Sequence, residues 1–267
     1  MTPTRTGTDD AHPAQAPVEP TLPEPFHWQG WHIGATLPGG RVLFTTRRGG
    51  ASSGPHAEMN LSRSVGDDRA AVDVNRERLA AQIGFDWSEF SFGRQVHGTT
   101  VRRVVDAGAP RRVRGAEEDG QATALEDNPA LVLVADCLPV ALVAAGAVAV
   151  LHAGWRGLSA GIVEEGISAL RECGASGAIV AALGPSARPC CYEVGEEVHA
   201  HFPEPGARSG DRGLDLAAVA RARLGAGGVE EVHDVGLCTM CAPELFFSHR
   251  RDAGVTGRQA GVAWRAG

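Results

Sequence analysis

The stretch that most constrains this chain is Leu131–Leu158, LVLVADCLPVALVAAGAVAVLHAGWRGL. It opens with an apolar run, Leu131–Ala135, long enough for a buried strand. Asp136-Cys137 interrupts the run, and two more follow, Val140–Ala144 and Ala147–Leu151. Apolar runs split by a two-residue turn containing glycine predict a β-hairpin. With Ala145-Gly146 as the loop, Ala144 faces Ala147, and counting outward sets Pro139 opposite His152. Cys137 then lies just beyond that pair, at the open end of the hairpin. A thiol and an imidazole 15 residues apart are thereby brought together. Ala-Gly-Trp-Arg-Gly after His152 allows a tight turn and close backbone approach. Val163, Ile167 and Leu170 then mark one face of a helix.

Other elements arrange themselves around this core. Arg41–Thr46 is an expected strand, with Arg47-Arg48-Gly49-Gly50 as the loop after it and an irregular loop over Ala51–Arg63. Asp67–Ile83 predicts a helix, with Asp67 or Asp68 near its start and Gly84 at its end. Val72, Leu79 and Ile83 share one face, and Arg76 falls on that apolar stripe with Asn75 at its border. An inward guanidinium needs a partner, because an unpaired buried charge is costly. A buried ion pair is as good a reading of it as a ligand contact. Phe90–Gly93 and Val101–Val105 are expected strands flanking Arg94–Gly98, and Ala107–Asn128 is a polar excursion. Ala178–Leu183 and Val232–Val235 are further strands. Helices are expected around Val194, Val198 and Phe202 and over Leu214–Leu224. Met1–Pro25 has few large apolar residues and is expected to be a disordered tail. Residues 26–267 show no repeat and no interior linker, so they form one domain.

A length of 267 residues and a hydrophobic content of 43% allow a substantial core. The net charge of −7, with no basic run, argues against nucleic acid as a partner. No apolar stretch reaches the roughly 18 uninterrupted residues of a membrane helix, so no membrane partner is expected. No signal peptide is expected either. Six cysteines in so long a chain do not make a disulfide framework. Reduced thiols in the cytoplasm are the simpler reading.

His97, Cys137 and His152 form the leading constellation. Imidazole and thiolate both suit Zn²⁺, and three protein ligands with one open position mark catalytic zinc. Their spacing of 40 and then 15 residues is not that of a zinc finger. The plainer reading is a buried thiol with two hydrogen-bonded histidines, and the rival is a Cys–His nucleophile pair. Cys238-x-x-Cys241 has the shape of half a zinc site, lacking its second half unless Cys190 and Cys191 supply it. Thiols in a loop near the core would explain it equally. There is no Walker A sequence, no G-x-G-x-x-G and no G-x-S-x-G. A multicopper oxidase would need many His-x-His pairs, and the chain has one, His199 and His201, on a helical pattern.

Taken together, GRQVHGTTV, VADCLPVALV, LHAGWRGLSAG, GPSARPCCYEVGEEV and LCTMCAPELFFSHRRD resemble the laccase-domain family, also called the YfiH-type or peptidoglycan editing factor family. TTRRGGAS, NLSRSVGDD and VNRERLAA extend the similarity, which runs from about Arg41 to Val262. Gly120, where the family more often has alanine, is a departure expected to touch loop packing more than chemistry. The resemblance implies a single α+β domain with two mixed β-sheets sandwiched between helices, in α/β/β/α layers. It implies zinc on His97, Cys137 and His152, with copper as the alternative that came with the older name polyphenol oxidase. It also implies purine nucleosides and phosphate as partners: a purine nucleoside phosphorylase acting on adenosine, inosine and methylthioadenosine, with adenosine deaminase side activity. A peptidoglycan-editing role is attached to some members.

On that basis Arg76 and Arg47 are the candidate phosphate ligands. Asn60 and Asn75 are candidates for ribose or base. Asp136 would orient a ligating imidazole or bond nearby backbone amides as a turn residue. The competing readings are a Cys–His amidase acting on cell-wall precursors with Cys137 as nucleophile, a copper-dependent polyphenol oxidase, and a binding module with purely structural zinc.

Overall fold

The computed structural model describes residues 19–265. At its centre the hairpin forms in the expected register. β7 (Leu138–Ala145) and β8 (Ala147–Ala153) pair Ala144 with Ala147 and Pro139 with His152. The turn is held by Gly146 at φ 94°, a left-handed backbone that favours glycine.

Two sheets stack face to face. One runs β1 (His27–Gln29), β2 (His32–Leu37), β3 (Gly40–Phe44), β13 (Gln259–Arg265), β6 (Ala130–Val134), antiparallel throughout. The other is mixed and runs β12 (Glu231–Asp234), β9 (Ser176–Leu183), β7, β8, β5 (Gly120–Thr123), β4 (Val101–Val104). A short ribbon, β10 (Arg208–Ser209) and β11 (Gly213–Leu214), stands apart. Alternation along β7 and β8 explains the layering. Val140, Leu142, Ala149 and Leu151 face one core, shared with α2 (Trp155–Ala160), α3 (Ile162–Glu172) and α5 (Leu216–Ala226). Ala141, Val143, Val148 and Val150 face the other sheet, where Phe44, Val132 and Val134 meet them. Covered on both faces, these strands read as continuous apolar runs rather than alternating ones. Truncating Leu142 to alanine in such a site costs about 2–5 kcal/mol. Across the five-stranded sheet, Leu43, Leu131 and Val262 pack against Leu79 and Ala80 of α1 (Arg69–Ile83). The layers are therefore helix, sheet, sheet, helix, within one α+β domain.

α1 starts at Arg69 because the Asp68 side chain caps it, accepting from the Ala70 N–H, and Gly84 closes it at φ 83°. The helix at Val194–Phe202 is only α4 (Glu196–His199). Four expectations need correction. Phe90–Gly93 is not a strand but a segment with a single bridge, Ser91 to Ala130. The excursion over residues 107–128 contains β5, whose Gln121 and Thr123 are buried despite their polarity. Gly120 accordingly lies on a strand and not in a loop, where an added Cβ would come within 2.9 Å of the Val150 carbonyl oxygen. Met1–Val18 lies outside the described residues, but Glu19–Pro25 packs. Leu22 touches the inter-sheet core, and the Pro20 carbonyl accepts from the Trp28 indole at 3.1 Å.

Candidate metal centre and substrate cleft

Three chain segments converge at the open end of the hairpin. Cys137 precedes β7, His152 lies near the end of β8, and His97 comes from the loop before β4. Their ligand atoms lie within 4.8 Å of one another. Cys137 Sγ is 3.8 Å from His97 Nε2, and the two imidazoles sit edge to face at 4.8 Å between centroids.

Asp119 holds this cluster together. Its carboxylate is fully buried and accepts from the backbone N–H of Val96 at 3.1 Å, of His97 at 2.9 Å and of Gly98 at 2.8 Å. It also meets His152 Nδ1 at 2.8 Å, and its own carbonyl accepts from the His152 N–H at 2.7 Å. One carboxylate thus clamps the loop that carries His97, which sits at φ 62°, and fixes which nitrogen His152 presents to the cleft. Burial alone would raise the Asp119 carboxyl, but the His152 contact and the Val96 and Gly98 amides hold it below the usual range.

Burial would likewise push the Cys137 thiol up and the His152 imidazole down. The attraction between their charged forms outweighs burial on both sides, with Asp119 adding to it at His152, so the thiol is shifted down and the imidazole up. The pair is poised as thiolate and imidazolium, and a metal cation binding there would take the place of the imidazolium proton. Gly154 allows the convergence. A Cβ there would stand 2.9 Å from His97 Cδ2 and 3.0 Å from Cys137 Sγ. The donor set, two nitrogens and one sulfur with a cleft on the open side, fits zinc.

The cleft has a volume of about 720 Å³. Six arginines line it against one carboxylate, Asp136, so its field is positive. That carboxylate is already engaged, accepting from the Thr239 hydroxyl at 2.7 Å and the Arg250 N–H at 2.7 Å. Asp136 therefore does not orient an imidazole, and Asp119 takes that role. Phe92, Trp155 and Tyr192 supply aromatic surface.

Arg76 reaches the cleft. Its Nε donates to the Leu61 carbonyl at 2.9 Å, and its guanidinium lies over Trp87 and Phe92, 5.0 and 5.7 Å from the ring centroids. Among the described residues it forms no ion pair with a carboxylate. Burial, then repulsion from Arg63, lowers its pKa to about 10, which leaves it charged at neutral pH. Arg258, half-buried, also lines the cleft with no ion pair among the described residues, and it spends hydrogen bonds on the Thr256 and Gly257 carbonyls.

The other expected substrate residues stand outside the cleft lining. Arg47 turns away, donating to the carbonyls of Ala57 at 2.7 Å and Pro243 at 3.0 Å and packing over Phe247. Asn75 is fully buried. Its amide faces Ser52 Oγ and the carbonyls of Glu58 and Asn60, and its oxygen accepts from the Ala51 N–H. Asn60 is fully buried too, bonded to Asp67 and to the Ser62 and Arg258 amides. Both asparagines have spent their hydrogen-bonding groups on the loop over residues 51–67 that packs beside Arg76 and on the Arg258 amide. His199 and His201 do not form a metal pair. His199 bonds the Arg212 carbonyl, and His201 lies against Trp155.

Sequence reasoning missed Asp119, Tyr192, Arg250 and Arg258. The first sits in a polar stretch with no periodic signal. The others lie within the resembling motifs or just past them but carry no recognisable local chemistry.

Fold and site together define an α+β sandwich with a Cys-His-His centre at the mouth of an arginine-lined cleft. The family described as multi-copper polyphenol oxidoreductase laccase matches residues 41–266, and the chain belongs to that family. It is 37% identical to the purine nucleoside phosphorylase YlmD of Geobacillus stearothermophilus, over 89% of this chain and 96% of that protein. It is 41% identical to a purine nucleoside phosphorylase of Xylella fastidiosa, over 85% of this chain and 93% of that one. The crystal structure of YlmD superposes with a TM-score of 0.79 at 35% identity, covering 88% of this chain and 96% of that one. That of Bacillus licheniformis YfiH gives 0.80 at 28% identity, covering 91% and 100%.

Proposed function

We propose that the protein is a zinc-dependent purine nucleoside phosphorylase. The observation that carries this reading is the pair Arg76 and Arg258, guanidinium groups without carboxylate partners, facing the cleft that holds His97, Cys137 and His152. The names of the relatives agree with it. Arg76 and Arg258 would bind the phosphate dianion through charge-assisted hydrogen bonds and set one of its oxygens against C1′ of the ribose. That oxygen bonds to C1′ as the bond from C1′ to the purine nitrogen breaks, and the base leaves with the electron pair and takes up a proton. Tyr192, Phe92 and Trp155 offer ring faces for the base. His97, Cys137 and His152 would hold the zinc, with Asp119 fixing the His152 imidazole and the backbone that carries His97. Zinc, when bound, supplies Lewis acidity to the cleft. Adenosine, inosine and methylthioadenosine are the substrates this reading assigns, with deamination of adenosine as a side activity. Six free thiols support a cytoplasmic setting.

The test is inosine plus phosphate with zinc-loaded protein, following hypoxanthine and ribose 1-phosphate, with and without chelator. Release of ammonia from adenosine without phosphate reports the side activity. Absence of any phosphate-dependent cleavage would overturn the reading.

A second reading has one observation in its favour. Cys137, His152 and Asp119 also line up as nucleophile, base and orienting carboxylate, the order an amidase needs. The two readings part on alkylation. A thiolate capped by zinc labels slowly until a chelator is added, whereas a free nucleophile labels fast in either case.

A further inference from the structure

Cys190, Cys191, Cys238 and Cys241 come together, and the proposed reaction uses none of them. All four sulfurs lie within 4.8 Å of one another. Cys190 and Cys191 sit in the loop after β9, and Cys238 and Cys241 in the loop after β12, its parallel neighbour. Backbone bonds stitch these loops together: Ser186 N–H to the Leu237 carbonyl at 3.3 Å, and Thr239 N–H to the Ser186 carbonyl at 3.0 Å.

We propose that these four cysteines bind a second zinc ion, a structural one, held by four thiolates with no open position. Four sulfurs each about 2.3 Å from one zinc stand about 3.8 Å apart at the corners of a tetrahedron. Cys190 and Cys241 are 3.6 Å apart here, and Cys191 and Cys241 are 3.2 Å apart, close to that edge length. A disulfide would require about 2.0 Å between two of the sulfurs. Cys173 gives the contrast, a lone thiol buried in the helix-side core. Nothing apolar requires the four-thiol cluster. Cys190 and Cys241 are exposed, so packing alone gives no reason for the sulfurs to meet.

The zinc would brace the cleft. Thr239, inside the Cys238–Cys241 turn, donates to Asp136, the neighbour of Cys137. Tyr192, next to Cys191, lines the cleft and carries Arg250 over its ring at 4.8 Å. Losing this zinc would therefore loosen Tyr192 and Arg250 while leaving His97 and His152 held by Asp119. The inference stands apart from the proposed reaction.

Metal analysis and thiol mapping test it on full-length protein purified under reducing conditions. Expected are about two zinc per chain in the native protein and about one in either Cys137→Ala or the Cys238→Ser/Cys241→Ser double variant. In native protein, alkylation of Cys190, Cys191, Cys238 and Cys241 should be at least about tenfold slower without chelator than with it, as expected for capped thiolates. Cobalt-loaded Cys137→Ala protein should show the intense visible absorption of a tetrahedral cobalt thiolate. Equal alkylation rates with and without chelator would overturn the proposal, and that measurement does not depend on a variant folding. So would a mass two hydrogens short with a Cys191–Cys241 linkage, or iron in place of zinc.

Discussion

The two sulfur-containing clusters differ in what surrounds them. The centre at His97, Cys137 and His152 has three donors, a buried carboxylate behind it and a charged cleft in front. The cluster at Cys190, Cys191, Cys238 and Cys241 has four donors, two of them exposed, on two loops joined by backbone hydrogen bonds. Three donors backed by Asp119 leave room for a ligand, whereas four thiols close on themselves. The first suits chemistry and the second suits holding loops in place. Donor count and surroundings separate the roles, although both clusters are built at strand ends from residues distant in sequence.

That contrast can be broken most directly at Cys137. Cys137→Ala should lose the metal at the three-donor centre and bring phosphorolysis to background, with the fold intact by circular dichroism. Unchanged total metal content in the variant would place the metal elsewhere. The next largest effect is expected from Asp119→Asn. The amide keeps the size of the carboxylate but turns an NH₂ toward groups that donate. Metal affinity should fall about 10–100-fold at this centre, the usual loss when a ligand's supporting carboxylate is removed. The four-thiol cluster should keep its metal, as read by chelator competition.

Acid should release metal from both clusters as their ligands protonate, and a third event lies beneath that release. His32 is buried, and burial outweighs its Trp31 backbone contact to lower its pKa from 6.5 to about 4. The folded state therefore resists protonation that the unfolded state accepts. Stability is complete above pH 6.5 and declines as pH falls toward 4. Between pH 6.5 and about pH 5 this amounts to about 2 kcal/mol. His32→Asn keeps an acceptor for the Thr46 N–H, and its denaturant midpoint should be flatter over that window. If native and variant curves run parallel, the acid loss comes from elsewhere, the two clusters included.

The smallest effect sharpens the difference between cleft and scaffold. Arg76→Lys should raise the Michaelis constant for phosphate about tenfold, the worth of one charged hydrogen bond at roughly 1.5 kcal/mol. Metal content and melting should change little. Unchanged phosphate dependence in well-folded protein would remove Arg76 from the phosphate site and leave Arg258. Asn75→Ala should do the reverse, lowering the melting temperature while the folded fraction keeps its Michaelis constant.

Much of the centre was legible in the sequence because its key geometry is local. The hairpin turn at Ala145-Gly146 sets Pro139 against His152 by counting alone, and Cys137 follows. Arg76 was legible as a charge on an apolar stripe. Arg47, Asn60 and Asn75 lie outside the cleft lining, which the sequence did not show, because a polar residue looks the same there whether it faces a ligand or satisfies buried backbone. β13 shows the same limit at the level of the fold. Gln259–Arg265 lies between β3 and β6 in the middle of a sheet, yet its sequence did not mark it as a strand.

The sequence by itself determined the elements whose signals repeat within a few residues: the hairpin and its register, the caps of α1, and the apolar runs that had to be covered on both faces. Tertiary structure alone decided that Asp119 clamps residues 96–98 and His152, and that the loops after β9 and β12 bring four thiols together. It also decided that Arg76 and Arg258 share a cleft. These depend on hydrogen bonds and sheet pairings between distant segments, which the local pattern of neither partner specifies, because each is fixed only when the two sheets pack.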